Sequence, residues 1–339
     1  MTVEEKEYRS FIGRILGLRG NEAVRVTLLF RGGSDRTFYR VHVPGGKSYI
    51  FMHYSPGREE NNYYVEIAVF LRDIGVRVPA IIGHDRARRF ILMEDLGDAD
   101  LFSFRQAPWS RREELYRKTL SLVLQLHSFP LESFSPQAVP LAEAFGPSLY
   151  RWERDYFREN FVEGLCGIRL DPGEAEGLER ELAALAGGLE GGNRCLVHRD
   201  LQSKNVMVVG GEPALIDFQG MRVGNPFYDL GSLLYDPYVA FTHEERLSLL
   251  RFCHRYLGRS LDWPDFQKAF FRASAQRLMQ ALGAYGFLGL KRGLREFLEH
   301  VPRGLENLID ASTRAGDLPR LGETAVRCRE VVSSSKSKV

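Results

Sequence analysis

Residues 195–220, CLVHRDLQSKNVMVVGGEPALIDFQG, carry more information than any other part of this 339-residue chain. NVMVV and ALID read as two short apolar strands joined by the turn GGEP, so Asn205 begins one strand and Asp217 ends the other. A hairpin of that form brings its ends together, and the loop before it delivers Asp200 to the same mouth. Asp and Asn are ordinary turn residues. However, H-x-D-x-x-x-x-N followed by an apolar hairpin ending in I-D-F is a longer match than turn chemistry requires.

The residue types point to a division of labour. Asn205 and Asp217 are hard oxygen donors of the kind Mg²⁺ takes, one or two from protein and the rest of its shell from phosphates. Asp200 is left to orient an acceptor hydroxyl and take its proton. That arrangement belongs to kinase-type phosphoryl transfer, where catalysis is mostly positioning and charge neutralisation.

Outward from this motif the chain changes character at Gly97. Val24 to Glu94 is strand-like, with VRVTLLF, TFYRVHV and KSYIFMHY followed by a helical segment carrying Tyr63, Ile67, Phe70, Leu71 and Ile74, then strands around AIIGH and RFILME. After Gly97 come amphipathic segments near 110–128, 140–164, 174–188, 243–257, 264–282 and 286–312. The expectation is an α+β, bilobal fold: residues 1–97 a small antiparallel sheet with one helix that binds nucleotide, residues 98–325 a larger, mainly helical lobe with the catalytic loop and acceptor site, and 326–339 a disordered tail. VPGGKSY imitates a phosphate loop, but Val41 stands where its first glycine belongs and a strand follows, so it is read as a hairpin turn.

Composition narrows the partners. Forty-six Lys and Arg against 44 Asp and Glu leave a formal charge of +2, no basis for expecting nucleic acid or an anionic membrane. Cys166, Cys195, Cys253 and Cys328 lack ligand or disulfide spacing and read as reduced thiols, which fits the cytosol. No apolar run reaches the roughly 18 residues a membrane span needs. The expected partner is a small molecule; nothing in the sequence bears on oligomeric state.

HRDLQSKN, LIDFQG and NPFYDLGSLLYD resemble the aminoglycoside phosphotransferase and choline kinase superfamily, small-molecule kinases with the protein-kinase-like fold. MEDLGD, LYRWERDYF, HRDLQSKN and IDFQG are most similar to the bacterial kinases that phosphorylate the anomeric hydroxyl of N-acetylmuramate and N-acetylglucosamine during cell-wall recycling. The resemblance runs from about Val24 to Pro237. It implies ATP and Mg²⁺ as cofactors, Asp200 as catalytic base, Asn205 and Asp217 as metal ligands, and His198 and Asp229 as supports of the catalytic loop. It also places Gly32, Gly33, Ser34 and Arg36 in the loop over the nucleotide phosphates, and Met93, Glu94 and Leu96 at the hinge that meets adenine. The acceptor it implies is an amino sugar, with an aminoglycoside, choline or a hydroxylated amino acid as alternatives and a nucleotide-binding pseudokinase as a rival of another class.

One part of the pattern is missing. Protein kinases carry a lysine on the third strand paired with a helix glutamate. Here Met52 holds the lysine position, and Glu66, at the glutamate position, has no evident lysine. Arg36 and Lys204 are the candidate replacements, Lys204 preferred because it neighbours Asn205. Gln219 replaces the glycine after Asp-Phe, which argues against an in/out switch of that loop. Trp152, Tyr156, Phe157 and Phe161 form an aromatic stripe that reads mainly as core. His127 reads as structural. Between His243 and Asp310, eleven Lys and Arg against eight Asp and Glu disfavour a polycationic acceptor.

Overall fold

The computed structural model describes residues 3–18, 24–31, 36–257 and 261–336. The chain opens with helix α1 (Val3–Leu16), then β1 (Arg25–Arg31), β2 (Arg36–His42), β3 (Ser48–Tyr54), α2 (Tyr64–Asp73), β4 (Ile81–Asp85) and β5 (Phe90–Glu94). These strands make one antiparallel sheet in the order β1-β2-β3-β5-β4. Successive side chains of a strand point to opposite faces. Along β3 this sends Phe51 to join Phe11, Ile12 and Phe90 beneath α1, and Met52 to join Tyr64, Ile67 and Leu71 beneath α2. The sheet therefore carries two helices rather than the expected one; Tyr8, Phe11, Ile12 and Ile15 of α1 recur at helical spacing and cover it.

The imitation phosphate loop is a turn. Gly45 and Gly46 adopt positive φ, 87° and 83°, which glycine takes without steric cost, and the Val43 amide donates to the Lys47 carbonyl at 3.0 Å.

The remainder is mainly helical: α3 (Trp109–His127), α4 (Pro147–Phe157), α5 (Pro172–Glu190), then β6 (Cys195–Val197), β7 (Val206–Val209), β8 (Glu212–Leu215) and β9 (Arg222–Gly224), followed by α6 (Pro226–Leu234), α7 (His243–Leu257), α8 (Trp263–Gly286), α9 (Val301–Ala315) and α10 (Pro319–Lys336). The α+β class expected from the sequence is the class observed. Among the described residues no helix is long and apolar enough to cross a membrane.

Two expectations need correction. The segment 326–339 is not a disordered tail as far as it is described: α10 runs to Lys336, because Leu321, Ala325 and Cys328 are fully buried at helical spacing and Val331 and Val332 pack on the same core. The segment 286–312 is not one helix either. After α8 the backbone widens into a π turn over Phe287–Lys291, Gly293 takes a φ of 71°, and Pro302, which lacks an amide donor, sits in the first turn of α9.

Candidate active site

The β7–β8 hairpin pairs Val206 with Leu215 and Val209 with Glu212, so its turn is Gly210-Gly211, both with positive φ, 62° and 82°. Two central residues of positive φ make the tight turn whose twist matches the flanking strands. Beyond the other end, the Ile216 amide donates to the Asn205 carbonyl at 3.0 Å, which sets Asn205 beside Asp217. Asn205 Nδ2 donates to the Asp200 carbonyl at 2.8 Å, leaving Oδ1 as its acceptor. Asp200, Asn205 and Asp217 are thus joined at one mouth through backbone and side chain.

Buried carboxylates brace this loop. Asp229 on α6, 0% exposed, accepts from the His198 amide at 2.7 Å, the Arg199 amide at 2.8 Å and His127 Nε2 at 3.0 Å. His198 Nε2 donates to the Ile216 carbonyl at 3.0 Å and so ties the loop to the hairpin. Arg199 is held at a φ of 80°, a strained value for a residue with a Cβ. Downstream, Asp236 accepts from the Ser203 amide at 2.8 Å and the Ser203 hydroxyl at 2.5 Å. Asp236 was legible only as the second aspartate of YDLGSLLYD.

The Asp200 carboxylate lies between two guanidinium groups. One oxygen accepts from Arg199, and Arg277 Nη2 of α8 stands 3.5 Å from the other. Arg277 is itself fixed by Ser232 and Gln280. Burial works to raise the Asp200 pKa, but the charges of Arg199 and Arg277 outweigh it and hold the carboxyl at about 2. Asp200 is therefore an anion at any ordinary pH.

At the other side of the mouth, Asp217 Oδ1 accepts from Arg36 Nη2 at 2.5 Å and from Gln219 Nε2 at 3.0 Å. Among the described residues Arg36, first residue of β2, is the cation paired with Asp217. Lys204 turns elsewhere: its ammonium sits 4.0 Å from the ring centre of Tyr238 and 5.1 Å from that of Phe102. Met52 is buried beneath α2, and Glu66 faces Arg86 at 3.5 Å rather than the mouth. Phe218 packs 4.6 Å from Tyr64 of α2. Of the residues expected at the hinge, Met93 is buried, Glu94 pairs with Ala80 through both its amide (2.8 Å) and its carboxylate (3.1 Å), and Leu96 is 7% exposed. Gly32, Gly33 and Ser34 lie outside the described residues. The aromatic stripe of α4 and the π turn after it (Arg158–Glu163) divides: Phe157 and Phe161 are core, whereas Trp152, 48% exposed, stacks on Tyr156 at 4.8 Å.

Residues 26–269 match the Phosphotransferase enzyme family. The chain belongs to that family. The N-acetylmuramate/N-acetylglucosamine kinase of Pseudomonas aeruginosa is 25% identical over 302 residues, 87% of each chain. The protein of the same name from Neisseria meningitidis serogroup B is 27% identical over 291 residues, 84% of this chain and 85% of that one. Among solved structures, a choline/ethanolamine kinase family protein of Mesorhizobium loti shares the fold, with a TM-score of 0.61 at 16% identity over 97% of this chain and 100% of that one. This member of the phosphotransferase enzyme family is a kinase built on the protein-kinase-like fold.

In this phosphotransferase the oxygens able to hold a metal are Asn205 Oδ1 and the Asp217 carboxylate, the latter 30% exposed and already facing a cation. Among the described residues no group of three or more His, Cys, Asp or Glu forms a closed metal cage. Two hard oxygens open to solvent fit Mg²⁺, which completes its shell with phosphates and water. Arg277 escaped sequence reasoning because nothing in its helical neighbourhood marks one arginine out from the others.

Proposed function

We propose that this kinase transfers the γ-phosphoryl group of ATP, with Mg²⁺, to a hydroxyl of a small amino sugar, N-acetylmuramate or N-acetylglucosamine, in the cytosol. The observation that carries this reading is the Asp200 carboxylate, flanked by two guanidinium groups on a braced loop beside Asn205 and Asp217. The relatives' shared name supports the acceptor, and the two arginines at Asp200 disfavour a cationic acceptor such as choline or an aminoglycoside.

In this mechanism Asp200 orients the acceptor hydroxyl toward the γ-phosphoryl group and takes its proton as the new oxygen–phosphorus bond forms and the bond from the γ-phosphorus to the bridging oxygen of ATP breaks, ADP leaving with that oxygen. Asn205 and Asp217 would hold the metal, which would supply neutralisation of phosphate charge when bound. Arg36 supports the phosphates in place of the missing strand lysine, Met93, Glu94 and Leu96 line the adenine end, and Gly32, Gly33 and Ser34 keep the phosphate-loop role that the family resemblance implies. Asp229 and His198 position the loop.

An ATP-consumption screen with N-acetylglucosamine, N-acetylmuramate, choline and kanamycin tests the assignment. The amino sugars are expected to give turnover and the other two none. Preference for choline or kanamycin would replace the acceptor, and ATP binding without any phosphorylated acceptor would restore the pseudokinase reading.

Arg36 and Lys204 separate in two-substrate kinetics. Arg36→Ala is expected to raise the nucleotide KM about tenfold, the scale of one charge-assisted contact. Lys204→Ala is expected to leave that KM within about twofold, since its ammonium faces rings rather than Asp217. The reverse outcome would return the phosphate-supporting role to Lys204.

A further inference from the structure

Two guanidinium groups hold Asp200, and a third near Arg199 has no carboxylate among the described residues. Arg199 and Arg277 take one oxygen of Asp200 each. Arg222 of β9 is the third, anchored to Gly220, where an added Cβ would stand 3.7 Å from Arg199 Cδ. It is 7% exposed, its Nε donates to the Gly220 carbonyl at 3.0 Å, and its guanidinium lies 5.4 Å from the Phe145 ring centre. Among the described residues no carboxylate pairs with it, and its Nη1 and Nη2 have no protein partner yet still touch solvent. Glu153 does not fill the gap: its oxygens accept from the Tyr228 hydroxyl at 2.6 Å and Gln276 Nε2 at 2.8 Å, and burial pushes its carboxyl up.

An arginine nine-tenths buried with an unused two-pronged donor is costly for the folded chain alone. A ligand carboxylate is the geometric complement of that fork. The position favours the acceptor over the nucleotide. Asp217, on the metal side, already has Arg36, while Tyr156, which stacks with the exposed Trp152, packs against Gly283 of α8, the helix that carries Arg277. Basic groups and a stacked aromatic pair together suit an anionic sugar.

We propose that Arg222, together with Arg199, forms a carboxylate-binding subsite for the acceptor, making an acidic amino sugar the preferred substrate class. The inference rests on the reading of Asp200 as the acceptor-facing base. Of the two candidate sugars, N-acetylmuramate carries a carboxylate on its lactyl ether and N-acetylglucosamine carries none, so the pair isolates the contact.

The test is the kcat/KM ratio for N-acetylmuramate over N-acetylglucosamine in wild type, Arg222→Gln and Arg222→Lys. Arg222→Gln is expected to lower the ratio about tenfold or more, through the N-acetylmuramate KM, with Arg222→Lys recovering part of it. Equal losses on both sugars would make Arg222 a structural residue, and an unchanged ratio would remove the subsite. If wild type phosphorylates neither sugar, the proposed function falls on its own, and the subsite is judged by thermal shift with D-lactate. Stabilisation of wild type that Arg222→Gln abolishes keeps it; no stabilisation of wild type overturns it.

Discussion

Asp200→Asn is expected to lower kcat about 10²- to 10⁴-fold, the usual contribution of a positioned general base, with little change in nucleotide KM. The amide keeps the shape of the side chain but cannot take the acceptor proton. It also leaves Arg199 and Arg277 facing a neutral group, so thermal melting should be recorded alongside to separate lost chemistry from lost fold. The pH profile gives a second readout. The two guanidinium groups lower the folded pKa of Asp200 to about 2, so the reactive anion persists at every pH above that value and declines only as pH falls toward it. Wild-type kcat/KM should therefore show no acid limb from Asp200 near neutrality. Arg277→Gln removes one guanidinium and should move the limb upward. An acid limb near about pH 6 that Arg277→Gln leaves in place would show that this clamp does not set the ionisation of the base.

Asp229→Ala should be the most destabilising single change in the site. Asp229 is 0% exposed and satisfies the amides of both His198 and Arg199. Truncation leaves two donors unpaired in the interior at about 1–3 kcal/mol each, and takes from His127 its acceptor. A loss of about 3–5 kcal/mol is expected, read as a lower melting temperature. The strained backbone of Arg199 also loses its anchor, so kcat should fall beyond what stability explains, because Asp200 is the next residue. Asp229→Asn, which keeps one acceptor oxygen, should fall between. An alanine variant that melts with wild type and turns over normally would remove Asp229 from the support of the loop.

The parts of the fold and site legible in sequence are those whose information is local. The hairpin announced itself through two apolar runs and a glycine pair, and the spacing of Asp200, Asn205 and Asp217 follows from the loop and register that join them. The missed parts depend on contacts between distant segments. Arg277 meets Asp200 across 77 positions of sequence only because α8 packs beside the catalytic loop. Glu66 occupies the expected helix position, yet its direction depends on Arg86, placed by a separate strand. The C-terminal segment looked like a tail because Ser and Lys end it, while the apolar face that makes it helical is read only once Cys328 is seen buried.

Burial of Met52, and the contact of Tyr64 with Phe218, have a consequence for control. In protein kinases the helix above the sheet is held by an ion pair that can be broken and remade, which lets modification turn the enzyme off. Here that helix is seated by methionine, tyrosine, isoleucine and leucine with at most 3% exposure, a contact with no charge to relocate. A helix seated in this way is tied to β3 by packing, so breaking an ion pair between the two would not release it.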